Sequence, residues 1–528
     1  MKKLFMALLF FSFMATQISV VAFGDQCEIL NYEDQRESGK VSWLDYLIPK
    51  SIQNFARTAV GFNPLVNTVG AKRISSFSFL TFAFRYWNNP HKALAVIHDN
   101  YGDFAYFQMP TGRIVLFARN KSMLEQVIRD TSLEGAHFEK DSLQTSASEK
   151  VLGANNIFTN KGPSWQKLRE TLAPFFRPAA LKEQNVPAII AKVFNEHFEE
   201  YSKNKGNFSE FLNQSIFDVV LKAIFKMEVS REEIERTISP AFEKVMSWIV
   251  LETALNPTQF HAADLPSFTK SIRDSKRSLA TIEELSEKII DVSLKNASPN
   301  KNLVQALADS GMSRDDLRNN VMTIVAASFE TTSSYISWAT FELAKNPGMQ
   351  SKIREDLRAA GPEVLTKPEL APESLKLFLE ETLRFYTPFY TFARRTNESV
   401  RIKVEGGTID LPQNSSIIFD LQSINHQESN FGRERTGFPA NEFQPLRYHP
   451  DVMKQHGLKK SDIDHNAFGN GRRFCLGFVF AQMETTLFVS QMLYNHQIKV
   501  PNDFKPGMRS GIAIKPEVDL PITFERMN

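Results

Sequence analysis

Only two cysteines, Cys27 and Cys475, occur in 528 residues. Their scarcity excludes a zinc finger built on Cys pairs, a four-Cys iron–sulfur cluster and a disulfide-dense scaffold. A single Cys27–Cys475 bridge stays open if the chain is exported. Charge of one sign is lacking too. The 62 Lys and Arg against 60 Asp and Glu leave +2, so nothing in the whole-protein field attracts nucleic acid. Internal repeats, low-complexity tracts and a linker long enough to separate a pair of catalytic domains are all missing. The length then fits one large domain behind a leader. Apolar residues at 42% and charged residues at 23% are ordinary. The 44 phenylalanines suit a large core or an apolar pocket.

The amino terminus reads as a targeting segment. Lys2 and Lys3 precede an apolar run from Leu4 to Met14 and a weaker one to Phe23. Ala22 and Gly24 offer small residues for cleavage, which completes the layout of a secretory signal. Leu4–Phe23 is also just long enough to cross a bilayer. Asp25 and Glu28 follow it, so the positive-inside bias keeps the two lysines cytosolic. Residues 1–24 are expected to be a signal or membrane anchor, with the rest of the chain on the non-cytosolic side. Residues 25–87 show no strong periodicity and form an extension of unknown role. The patch Phe77–Phe84 between Arg73 and Arg85 reads as core or as a membrane-touching surface.

From Asn88 the texture becomes regular, and residues 88–528 are expected to form the catalytic domain. Short helices are predicted at His91–Asp99 and Lys121–Arg129, with strands at Phe104–Gln108 and Arg113–Ala118. The middle is mostly helical, with a looser aromatic stretch at Ala241–Phe268. Ser313 and Asp316 form a capping-box pattern that opens a helix running to Asn346, where Pro347 stops it. At 1.5 Å per residue that helix is roughly 50 Å long. A further helix spans Pro372–Tyr386. Strand-like alternation returns at Val400–Val404 and Ile409–Phe419 around a Gly406-Gly407 turn, and the last helix begins at Leu476.

The chemistry sits at Phe468-Gly-Asn-Gly471-Arg-Arg473-Phe-Cys475-Leu-Gly477. Gly471 supplies the positive φ of a tight turn. Cys475 lies just ahead of a helix amino terminus, where unpaired N–H groups and the helix dipole favour a thiolate. Gly477 leaves room for a flat group close to the backbone, and Arg473 offers donors for a carboxylate. This loop resembles that of the cytochrome P-450 family, Phe-x-x-Gly-x-Arg-x-Cys-x-Gly, at every fixed position. A buried structural cysteine after a glycine turn is the bland alternative.

Other segments fall in the same family's order from about Asn88 to the carboxyl terminus. Glu381 and Arg384, three apart on one helix face, can pair. With Arg447 in Phe443-Gln-Pro445-Leu-Arg447 the resemblance implies a buried structural triad behind the haem loop. In Ala327-Ser-Phe-Glu330-Thr331-Thr332, a helical Thr hydroxyl can bond back to the preceding turn and open a local bulge. The resemblance implies Thr331 as a proton-handing hydroxyl and Glu330 as its relay acid. Ser328 stands where the family usually has glycine. Trp165 and Arg169, one turn apart, are implied partners of haem propionates, joined by Arg394 rather than Arg395. Buried carboxylates need such donors.

The resemblance implies a mainly α fold with a smaller β region. Haem b would lie between the long central helix and the Cys475 helix, with Cys475 as its axial thiolate. The implied activity is monooxygenation of a mostly apolar substrate. Substrate-facing candidates lie in Gly135–Asn156, in Ala241–Phe268, at Phe329 and at Thr387–Phe392. No flavin or iron–sulfur module is visible in the chain, so electrons are expected from a separate reductase or ferredoxin. A peroxide-driven peroxygenase or redox-neutral isomerase on the same fold is the alternative. Outside catalysis stands a haem-binding sensor or carrier.

Overall fold

The computed structural model describes residues 70–527, apart from 87–88, 110–111, 132–135, 205, 256–261, 265–268 and 296–300. The leader, Cys27, most of the extension and the Phe77 and Phe84 side chains lie outside the described residues. Among those described, no helix is long and apolar enough to cross a membrane.

The long helix forms where the capping pattern puts it, over Arg314–Lys345. Ser313 accepts the Asp316 N–H, and Asp315 and Asp316 sit in the first turn, where the helix dipole favours negative charge. Lys345 occupies the last turn and Pro347 opens the next helix. Its sequence carries no single apolar stripe, because it is buried on nearly every side from Leu317 to Leu343. It packs against the helices Phe208–Ala223, Lys270–Lys295, Glu373–Phe385 and Phe478–Tyr494. The last of these, the ligand helix, starts two residues later than expected, with Gly477 as its cap. Phe194 and Phe488 tie it to the helix Val186–Asn204, their ring centroids 3.9 Å apart.

The described strands are β1 (Lys72–Arg73), β2 (Phe104–Gln108), β3 (Ile114–Ala118), β4 (Phe138–Lys140), β5 (Thr391–Thr396), β6 (Val400–Val404), β7 (Gly407–Leu411), β8 (Ser416–Asp420), β9 (His496–Lys499), β10 (Met508–Ser510), β11 (Ile514–Pro516) and β12 (Thr523–Arg526). Six of them form a mixed sheet in the order β1-β2-β3-β8-β5-β4, and the rest pair as β6-β7, β10-β11 and β9-β12. The run expected over Ile409–Phe419 is thus two strands. They are interrupted at Pro412–Ser415, where Asn414 takes a positive φ of 65°. One core spans the helices; a second, built on Leu116, Ile417 and Phe419, lies under the sheet.

Two expectations are corrected. The fold begins ahead of Asn88: β1 pairs in parallel with β2, and the helix Ser76–Arg85 packs on β2, stacking Phe79 on Phe107 at 4.2 Å. The aromatic stretch after Ala241 is not loose at its start. Ser239–Leu255 is helical, with Phe242, Trp248 and Ile249 buried.

Glu484 on the ligand helix is fully buried, and neither carboxylate oxygen has a hydrogen-bond partner. Burial alone pushes its pKa well above the carboxylate range. Above about pH 4.5 the unfolded chain releases this proton and the folded chain keeps it. Stability is therefore lost as pH rises above that point, by up to about 1.4 kcal/mol per unit until the folded group titrates. Glu484→Gln should remove that slope in urea titrations run from pH 5 to 7. An unchanged slope in the variant contradicts the assignment.

Candidate active site

The Cys475 loop is closed by its own backbone. Cys475 N–H donates to the Phe468 carbonyl at 2.9 Å and Phe474 N–H to that of Gly471 at 3.1 Å. Gly469 and Gly471 take positive φ angles of 70° and 65°, the left-handed conformation that L side chains resist. Phe468 packs edge-on against Phe478, ring centroids 4.9 Å apart. A Cβ built on Gly477 would meet nothing within 4 Å, so the backbone there faces space. Cys475 itself is exposed, although protein crowds around it.

The helix start does not by itself make a thiolate. Burial pushes the Cys475 thiol up; the Gly477 N–H and the Arg169 guanidinium pull it down without prevailing. A thiolate at this position needs a further positive charge, which a metal ion supplies.

Beside the loop lies a cluster of cations with too few acids. Strands β4 and β5 pair Glu139 with Arg395 and Lys140 with Arg394. The first pair forms a salt bridge. The second sets two like charges directly opposite each other, an arrangement that destabilises a sheet. Arg473 stacks on the Trp165 indole at 4.0 Å and donates to the Asn160 carbonyl at 2.9 Å, leaving Nη1 buried without a partner. Arg394 Nε is likewise buried and unpaired.

Burial, then repulsion from Arg473, lowers Arg394 to about 9. Burial and the charge of Arg169 lower Arg473 to about 10, against a pull from Glu139. Burial pushes Lys140 well below its usual range, and Arg473, Arg394 and Lys161 push it the same way. Its ammonium donates to the Phe158 carbonyl at 2.6 Å. Asp141, the nearest acid to Arg394, is held by Arg113 at 2.8 Å. Cations that repel one another and keep unpaired N–H groups fit a buried group carrying two carboxylates. The residues therefore suit a haem. Lys140 is invisible to sequence reasoning, since one lysine in a short strand carries no motif. Its register opposite Arg394 is the signal, and register is a property of the folded sheet.

A third feature belongs to the central helix. Within its buried length Ala327 is exposed, and Ser328 and Thr331 are only half-buried. Ser328 Oγ donates to the Ile324 carbonyl and Thr331 Oγ1 to the Ala327 carbonyl, both at 2.8 Å. The helix runs through without the expected bulge, continuous from Arg314 to Lys345 despite these back-bonds. Glu330 points elsewhere. It is 5% exposed, pairs with Lys515 of β11 at 3.1 Å and leaves Oε2 buried without a partner. Phe329 does not face an open space either; it is fully buried and stacks on Phe217 at 4.3 Å.

Behind the loop, Glu381 holds Arg384 at 2.7 Å and Arg447 at 3.5 Å, and all three are fully buried. Arg384 also donates to the carbonyls of Asn425, Ala440 and Glu442, and Arg447 to those of Phe431 and Pro439. The trio clamps the main chain over residues 425–442.

The sequence profile described as Cytochrome P450 matches residues 73–519. This chain belongs to the cytochrome P450 family. Among curated relatives, (S)-N-methylcoclaurine 3'-hydroxylase isozyme 1 of Papaver somniferum is 23% identical over 79% of this chain and 86% of its own. Desmethyl-deoxy-podophyllotoxin synthase of Sinopodophyllum hexandrum is 23% identical over 79% and 82%. The self-sufficient cytochrome P450 monooxygenase CYP505E3 of Aspergillus terreus is 22% identical over 81% of this chain but only 40% of its own length. As a P450, the protein is an oxygen-incorporating oxidoreductase, and the family brings haem with a cysteine thiolate on its iron.

Lys140→Ala separates a carboxylate-binding cation from a merely structural one. Without haem, the variant should melt no lower than wild type, because a like-charge repulsion is gone. With haem, it should lose the group to excess apomyoglobin about ten-fold faster or more, the worth of one charged hydrogen bond. Unchanged haem retention would remove Lys140 from the site.

Proposed function

We propose that this P450 inserts one oxygen atom from dioxygen into a mostly apolar organic substrate, with electrons from a separate electron-transfer protein. One observation carries this: an accessible sulfur on a glycine-turned loop stands beside a buried cation cluster suited to two carboxylates. Haem bound through Cys475 supplies dioxygen activation, which a thiolate ligand favours. Trp165, Arg169, Arg394, Arg473 and Lys140 would hold its carboxylates, and Gly477 would let the ring approach the backbone. The accessible window Ala327–Thr331 would line the space beside such a haem. There Thr331 Oγ1, with its proton held on the Ala327 carbonyl, can take up and return a proton at the reacting oxygen. Ala327, with its small side chain, leaves room for the substrate.

The substrate-facing candidates are the helices Ser142–Leu152 and Ser239–Leu255 and the segment Thr387–Phe392. The lysine-flanked leader supports export or membrane anchoring, with the catalytic domain on the non-cytosolic side. That placement also favours peroxide as an alternative oxidant. Oxidation of an alkoxycoumarin probe decides between them. Turnover that needs reductase, reduced nicotinamide and dioxygen supports the proposal. Turnover with hydrogen peroxide and none with a reductase favours the peroxygenase.

A further inference from the structure

The sequence points to Glu330 as the acid that serves Thr331, yet the folded chain commits that carboxylate elsewhere. Lys515 holds one oxygen at 3.1 Å. A Cβ at Gly511 would stand only 3.0 Å from the same oxygen, so the β10–β11 connection is pressed against it. The other oxygen is buried without a partner. Adjacent residues on a helix do not share a face. Freeing Glu330 to turn toward Thr331 would break its ion pair with the half-buried Lys515 and leave the Glu330 carboxylate, itself buried, without that partner.

Ser328 has none of these constraints. It lies three residues before Thr331, a spacing that puts the two Cβ atoms about 5–6 Å apart on one face. Both side chains are partly accessible, close to the exposed Ala327. Each hydroxyl donates its proton to a carbonyl of the preceding turn, Ser328 to Ile324 and Thr331 to Ala327. Each oxygen therefore keeps lone pairs that can accept from water. One water can bridge two hydroxyls carried by carbons spaced that way.

We propose that Ser328, and not Glu330, is the group that exchanges protons with Thr331. The inference rests on the Ala327–Thr331 window facing the haem. As a proton arrives from solvent on Ser328 Oγ, the hydroxyl's original proton leaves the Ile324 carbonyl for the bridging water. That water gives one of its own protons to Thr331 Oγ1 as Thr331 delivers its proton to the reacting oxygen. Both hydroxyls and the water end as they began, and one proton has crossed the window. The relay needs no ionised side chain, so a serine in the usual glycine position becomes a functional feature of this chain.

The test compares S328A, S328T, T331A and E330Q in the haem-loaded protein. One readout is the infrared C–O stretch of the reduced carbon monoxide complex, which reports hydroxyls near a ligand without turnover. The other is product formed per dioxygen consumed with the coumarin probe and a reductase. S328A and T331A should both move the C–O band. S328A should also lower the product yield per dioxygen about ten-fold, less than the 10²–10⁴ of a positioned acid or base because water replaces the lost hydroxyl. S328T should restore both, and E330Q should change the yield less than S328A. A silent S328A beside an E330Q as damaging as T331A overturns the relay. A T331A that leaves the C–O band unmoved instead overturns the placement of the window, and the proposed site with it.

Discussion

Glu381→Ala should melt roughly 4 °C below wild type and fail to retain haem. Removing one member of a buried ion network leaves uncompensated charge, at a cost of about 3–5 kcal/mol. That is a large share of the roughly 5–15 kcal/mol by which a domain is stable, and it sets the size of the shift. Arg384 and Arg447 are both fully buried and both face Glu381. Without the carboxylate, two guanidiniums would repel inside the core and release the carbonyls of residues 425–442 that they hold. The loop carrying Cys475 follows that segment, so haem retention should fall with stability. Calorimetry together with the haem-to-protein ratio after gel filtration checks this. A variant that melts within a degree or two and keeps its haem would show that the trio holds nothing essential.

Cys475→Ser should have the opposite pattern. The side chain differs by one atom and its loop is closed by backbone hydrogen bonds, so the melting curve without haem should stay close to wild type. Oxidation of the coumarin probe should fall to background. A serine hydroxyl does not ionise to a soft, electron-donating ligand, and the push that favours O–O cleavage is lost. The surroundings add to this, because burial already opposes a charge at residue 475 and only Arg169 and one N–H favour it. Retained turnover in the variant would mean that the sulfur is not the ligand.

What is legible in the sequence is local or motif-bound. The capping residues around Arg314–Lys345 and the alternation in β2 and β3 place those elements to within a few residues. The glycines of the Cys475 loop declare their turn, since φ of 65° at Gly471 is a local demand. The family's residue order locates Glu381, Arg384 and Arg447 before any contact is visible. Hidden features depend on long-range pairing. Lys140 joins the cation cluster only through its register opposite Arg394, and Arg395, next in sequence, faces Glu139 instead. Glu330 is diverted by Lys515, which stands 185 positions further along. The helical start of Ala241–Phe268 escapes detection because a helix buried on several sides has no amphipathic period. The sequence pattern sets the start of the domain too late because β1 has only two residues, too few for any periodicity.

The proposed bond between residue 475 and iron is open to one direct measurement: the absorption spectrum of the purified, haem-loaded protein after reduction and exposure to carbon monoxide. A thiolate ligand predicts a main band shifted strongly to the red of an imidazole-ligated haem, and its loss in Cys475→Ser. A folded protein that takes up no haem, or one whose band stands at the imidazole position, would contradict the account.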